Sequence, residues 1–343
     1  MGALRRVKIF SMGGTIASTS DARDQEANGG VRPALGAGEL ARSVQGLGSV
    51  ATIEAVSFMQ VPSGDLTPGD IVRLSHEIEA AYRDGSDGVV VTQGTDTLEE
   101  TAFMLDLLVG DQRPIVVTGA MRNPTLAGAD GPANILAAVQ VAASSEARSL
   151  GVLVVMNDEI HAARFATKTH TSGTDTFRSA GFGPLGRVNE GRPRIVFTPP
   201  PLARPVRHGE GLASVALVKL GLGDDCRLVE VAERDGADAV VVEGFGGGHL
   251  PGPAVDRVAA VAQRIPVVLA SRTGSGEMLS RTYGFAGSEM DLARRGLLSA
   301  GMLSGTKARI ALMLLAGEQG SDRIERVSGE LVRLCESFYV EAA

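Results

Sequence analysis

Two hydroxyls and a carboxylate stand side by side at Thr95, Asp96 and Thr97, inside the stretch V-V-V-T-Q-G-T-D-T-L-E-E from Val89 to Glu100. A second turn of the same kind, S-M-G-G-T-I-A-S, sets Thr15 behind Gly13 and Gly14. A threonine hydroxyl becomes a nucleophile only when a neighbouring base takes its proton. None of the five histidines, His76, His161, His170, His208 and His249, lies near either threonine in sequence. Lys168, among Thr167, Thr169, Thr171 and Thr174, is the more economical base. A lysine packed against polar groups and partly withdrawn from water gives up its proton more readily than a solvated one. Asp96 could counterbalance that lysine or hold a substrate ammonium group, and the sequence leaves both open. Backbone N–H groups at Gly14-Thr15 and Gly94-Thr95 could supply an oxyanion hole. Taken together, these groups supply a candidate nucleophile, base and oxyanion hole. Taken singly, each hydroxyl reads first as a helix cap and Lys168 as a solvated surface charge.

The elements around these residues support the first reading. Val89–Thr92 is a β-branched apolar run, the pattern of a strand buried on both faces. After the break at Gly94, Leu98, Thr101, Ala102 and Leu105 fall at helical spacing, and Thr97 with Glu100 fits a capping box. The polar residues therefore sit past the carboxyl end of a strand and at the positive end of a helix, where open α/β sheets bind ligands. Val7–Phe10 places Thr15 in the same way. Pro62-Ser63-Gly64-Asp65 puts a further hydroxyl, Ser63, beyond the strand expected at Thr52–Phe58. The tract Ser18–Gly38 is polar, glycine-rich and without period, which suits a lid or an inert surface loop equally.

Strand alternates with helix through Pro68–Ala81, Ile115–Thr118, the helix around Ile135–Ala142 and Val152–Val155. That alternation predicts an α/β chain with a larger N-terminal domain built on a mainly parallel, doubly wound sheet. The segment Ala166–Gly186 is too rich in β-branched and turn residues for a helix. Prolines 193, 199, 200, 201 and 205 interrupt regular structure, so the expected division is 1–190, a linker over 191–212, and a smaller α/β domain over 213–343. In the second domain strands are expected at Val215–Leu220, Ala239–Glu243 and Val267–Ala270, with closing helices on Lys307–Leu315 and Asp322–Cys335. Gly244–His249 looks like a phosphate loop but lacks its lysine, and Arg272–Glu277 is a turn after a strand.

Composition narrows the field of partners. The 343 residues carry a net charge of −7, no Trp and three Tyr. An acidic chain without a stacking platform is a poor match for nucleic acid or an anionic membrane. Cys226 and Cys335 are far apart and read as structural thiols of a reducing compartment. The histidines show no metal-ligand spacing. Without an apolar leader segment or a run long enough to span a bilayer, a cytoplasmic protein is expected.

M-G-G-T-I-A at Met12–Ala17 and V-T-Q-G-T-D-T-L-E-E-T-A at Val91–Ala102 resemble the two active-site signatures of the bacterial-type L-asparaginase family. The resemblance runs on through Pro114–Arg122, Gly128–Asn134, Met156–Glu159, Ala166–Thr169 and Gly183–Gly186. In the second half it continues at Glu243–His249, Tyr283–Phe285 and Lys307–Arg309. It implies hydrolysis of the side-chain amide of L-asparagine to L-aspartate and ammonia through a covalent acyl-enzyme, without metal or cofactor, in a homotetramer built as a dimer of dimers. A related amidase acting on glutamine or another small amide, and a non-catalytic amino-acid binder, are the alternatives. By this resemblance Thr15 is the loop nucleophile, and Thr95, Lys168 and Asp96 form a second, triad-like set with Lys168 as base. Asp96 also grips the substrate ammonium and Ser63 its α-carboxylate, with Gly14, Gly94 and His249 as further substrate-binding positions; the family's second-domain acid has no direct match, and Glu277 stands in for it. The chain departs from the family pattern in places. Ser18–Gly38 has no lid tyrosine, Gln93 stands where His is frequent, and His249 stands where Asn is frequent.

Overall fold

The computed structural model describes residues 3–14, 16, 18–19, 32–33, 36–204, 211–318 and 320–340. The chain forms two compact units, Met1–Pro201 and Leu202–Ala343.

In the first unit the order is β1 (Arg5–Gly13), β2 (Ser18–Thr19), β3 (Arg32–Pro33), α1 (Ala37–Ser43), α2 (Leu47–Val50), β4 (Ala51–Val61), α3 (Pro68–Arg83), β5 (Gly88–Thr92) and α4 (Leu98–Leu108). It continues with β6 (Ile115–Thr118), α5 (Gly131–Ala142), β7 (Val152–Met156), β8 (Glu159–Ala162), β9 (Ala166–Lys168), β10 (Phe177–Ser179), β11 (Gly186–Asn189) and β12 (Arg192–Ile195). Eight strands form one sheet in the order β12-β11-β8-β7-β6-β5-β1-β4. From β4 to β7 every pairing is parallel. From β7 to β12 every pairing is antiparallel, so the sheet is mixed although mostly parallel. The change of direction is made at Asn157 and Asp158, both with positive φ, which turn β7 straight back into β8. Every residue of β5, β6 and β7 is buried, because α4 and α5 both pack on the central strands.

The chain leaves β1 for β4 on one side and leaves β5 for β6 on the other, while β1 and β5 are neighbours. That reversal opens the crevice at which open α/β sheets bind ligands. The carboxyl ends of β1, β4 and β5 carry Gly14, Ser63 and Gln93–Thr97.

Two expectations need correction. Thr97 caps α4 by position, but its side chain makes no cap bond. Its hydroxyl donates instead to the Ser63 carbonyl at 2.9 Å, tying the β4 and β5 loops together. The stretch 191–212 opens with a strand, not a linker. Arg192–Ile195 pairs with β11, and Pro193 is tolerated there because β12 is the outermost strand of the sheet.

The second unit has β13 (Val215–Lys219), α6 (Arg227–Arg234), β14 (Ala239–Gly244), α7 (Val255–Ala262), β15 (Val267–Ser271), α8 (Glu289–Arg294), β16 (Leu298–Ser299), α9 (Gly305–Leu315) and α10 (Arg323–Glu336). Its sheet is parallel in the order β13-β14-β15-β16. The core joins Val240, Val242 and Leu269 of the sheet to Val229, Val258 and Leu292 of the helices. Among the described residues no helix is long and apolar enough to cross a membrane.

Candidate active site

The site begins with a close approach of two backbones. Gly14 has φ +82, and a Cβ there would lie 2.1 Å from the Gly94 nitrogen. Only glycine permits that conformation and that contact together. Gly94 in turn lies against Ser63, whose Oγ would be 2.7 Å from a Cβ built on Gly94. The three strand-end loops are thus locked at van der Waals distance before any polar contact is counted.

Beyond Gly94 the backbone makes a single 3-10 turn, Thr95–Thr97, before α4 begins. Thr95 is buried and Asp96 faces outward, its side chain 76% exposed. Gly119, just past β6, backs Thr95: a Cβ there would lie 3.1 Å from Thr95 Cγ2. The Gly119 carbonyl accepts from Asn134 Nδ2 at 3.0 Å, and its N–H meets the Met156 sulfur at 3.3 Å. Asn134 Oδ1 also takes the Asn157 N–H at 3.0 Å. The ends of β6 and β7 are therefore tied behind Thr95 through α5.

Lys168 arrives on β9, which pairs with β10 in a separate two-stranded ribbon. Its ammonium donates to Thr95 Oγ1 at 2.9 Å and to Asp96 Oδ1 at 2.6 Å. The lysine side chain is 17% exposed, so this contact is partly shielded from water. Its backbone N–H donates to Glu99 Oε2 at 2.5 Å.

Of the residues singled out in the sequence, Gly14, Ser63, Gly94, Thr95, Asp96 and Lys168 thus converge in the first unit. Thr15 lies outside the described residues, as does most of the tract Ser18–Gly38. His249 and Glu277 belong to the second unit. There His249 Nε2 meets Glu289 Oε2 at 3.0 Å, and its ring stands edge-on to Tyr283 and Phe285. Burial would raise the Glu289 carboxyl, but the backbone N–H groups of Tyr283 and Thr282, helped by the His249 bond, hold it below its usual value. Glu277 accepts from the Tyr339 hydroxyl. The Gly244–His249 loop closes on itself through a bridge between Phe245 and His249. Among the described residues no group of acids, histidines and cysteines is arranged to hold a metal ion.

Sequence reasoning missed Glu99, Gly119 and Asn134. Glu99 carried one legible signal, since it follows Thr95 by four residues at the start of a helix. Gly119 and Asn134 act across separate elements, and their only signal was that they lie within Pro114–Arg122 and Gly128–Asn134, stretches that resemble the family.

Residues 6–200 match the family model for the N-terminal domain of asparaginases, and residues 214–327 that for the C-terminal domain of glutaminases and asparaginases. The chain is 36% identical over 314 residues to the L-asparaginase of Bacillus licheniformis, covering 91% of this chain and 95% of that one. It is 36% identical over 334 residues to a probable L-asparaginase of Deinococcus radiodurans, covering 91% and 93%. Identity to L-asparaginase 2 of Bacillus subtilis is 33% over 323 residues, covering 91% and 82%. With both halves matched in order and relatives alike over nine-tenths of its length, the chain belongs to the asparaginase family of amidohydrolases.

Proposed function

We propose that this protein hydrolyses the side-chain amide of L-asparagine to L-aspartate and ammonia through an acyl-enzyme on threonine. One observation carries the reading: a single lysine amine lies within hydrogen-bond reach of a buried threonine hydroxyl and an exposed carboxylate, Thr95 and Asp96. A hydroxyl, an amine and a carboxylate in that arrangement can pass a proton, which covalent hydrolysis requires.

The reading gives each group one task. Thr15 attacks the amide carbon, and its hydroxyl proton leaves with the ammonia once the C–N bond breaks. In the second half-reaction Thr95 and Lys168 take a proton from water, the water's oxygen bonds to the acyl carbon as the Thr15 ester bond breaks, and that proton is returned to the leaving Thr15 oxygen. Lys168 is the base of that step, and the Asp96 carboxylate beside it is the group that turns to a second cation. The outward face of Asp96 suits a substrate α-ammonium, which would bring that second cation. Ser63 receives the α-carboxylate, and amides at the Gly14 and Gly94 turns face the oxyanion. His249 and Glu277 are carried as further substrate-binding positions, and the assembly is a homotetramer. The location is the cytoplasm.

Ammonia release from asparagine and from glutamine, for wild type beside Thr15→Ala, Thr95→Val and Lys168→Met, tests the reading. Each variant should lose at least about a hundredfold in kcat, within the ~10²–10⁴ attributed to one acid–base group. Release from glutamine alone would move the substrate. Release from neither amide would make the protein a binder.

A further inference from the structure

The ribbon that carries Lys168 has only two strands of three residues each, β9 and β10, and hydrogen-bonds as a sheet to nothing else among the described residues. Such a ribbon does not hold its own geometry in water. The height of Lys168 over the site must therefore be fixed from outside, and the 3-10 turn before α4 and the first turn of α4 each supply one point. Thr95 on the 3-10 turn and Glu99 on α4 both reach the same lysine. Thr95 Oγ1 takes the far end of the lysine at Nζ, 2.9 Å away. Glu99 Oε2 takes the near end, accepting the Lys168 backbone N–H at 2.5 Å. The helix behind both is anchored by Leu98, Thr101, Ala102 and Leu105, all buried.

We propose that Glu99 is a positioning residue for Lys168. Its carboxylate replaces a missing strand partner at the backbone of β9 and thereby sets the distance from the amine to Thr95. It touches neither substrate nor reacting atoms. The proposal rests on the amidase reading only where its effect is read as turnover.

Two variants separate reach from charge. Glu99→Gln keeps an acceptor at the same length without the charge, and Glu99→Asp keeps the charge but falls one methylene short. Both are made in the full-length protein, with steady-state ammonia release and hydrogen–deuterium exchange of the 166–169 segment as readouts. Glu99→Gln should stay within about threefold of wild type in kcat and in exchange rate. Glu99→Asp should lose about tenfold or more in kcat with KM within about threefold, as a misplaced catalytic group does, and its Lys168 amide should exchange at least about tenfold faster. A loss in Glu99→Gln as large as that in Glu99→Asp would show that reach is not what Glu99 supplies and overturn the proposal, and so would unchanged exchange in Glu99→Asp. If wild type released no ammonia the amidase reading would fall, while the exchange rates would still decide the role of Glu99.

Discussion

His161 shows how one side chain in this fold ties its stability to pH. The ring is buried on β8, with Nδ1 2.9 Å from Ser179 Oγ and Nε2 3.2 Å from Glu159 Oε2. Burial, with like charge from Arg178 and Arg187, pushes the imidazole down to about 4. Glu159 does not reverse this, because its carboxylate is already shared with both arginines. Neutral His161 fits the site, with Nδ1 hydrogen-bonded to the Ser179 hydroxyl. An unfolded histidine takes up its proton near pH 6.5, the folded one only near 4. The folded state therefore has its full stability above pH 6.5 and loses about 3 kcal/mol as pH falls from there to 4. Urea unfolding at pH 7.5 and pH 4.5 should show most of that difference in wild type and much less of it in His161→Gln. Equal pH dependence in both proteins would exclude His161 as its source.

At the scale of elements, the crevice between β1 and β5 is a contact of backbones before it is a set of side chains. In Gly14→Ala the new Cβ would overlap the Gly94 nitrogen at 2.1 Å, at a φ of +82. The strand ends must part or the turn must flip, a strain of at least about 2 kcal/mol. Thermal unfolding should show a midpoint several degrees lower, and ammonia release should fall with it; a wild-type midpoint would mean that the approach is not tight. This crevice was legible in the sequence because its signals are local. Buried apolar runs end in glycine and then small polar residues, and the parallel strands and their order of appearance followed from that. Other features were not legible because they are settled between elements. Thr97 spends its hydroxyl on Ser63, a residue 34 positions away, and no local pattern distinguishes that from a cap. The ribbon of Lys168 has strands of three residues, too short for periodicity to register. Pro193 reads as a breaker until the edge position of β12 is known. Lys168 itself was identified by its chemistry and by resemblance, while its 2.9 Å approach to Thr95 depends on a ribbon that only the fold displays.

At the scale of the whole molecule, the exposed apolar side chains bear on the proposed homotetramer. Val196 and Phe197 follow β12 in the first unit with 82% and 39% of their surface exposed. In the second unit Tyr283 and Phe285 are 43% and 51% exposed and lie together against His249. Adjoining aromatic side chains left in water mark a surface that associates more often than one that stays solvated. The net charge of −7 on a 343-residue chain is too small to keep copies apart at physiological salt. Light scattering on the purified protein should return four times the 35.5 kDa chain mass. If the aromatic cluster belongs to an interface, the double variant Tyr283→Ser, Phe285→Ser should give a smaller species with the same unfolding midpoint for its chain. Because the proposed function draws His249 and Glu277 into the substrate's surroundings, that smaller species should also show a higher KM for asparagine. A tetramer that survives the double substitution with KM unchanged would place its contacts elsewhere on the surface, and would leave the cluster around His249 as local packing of the second unit.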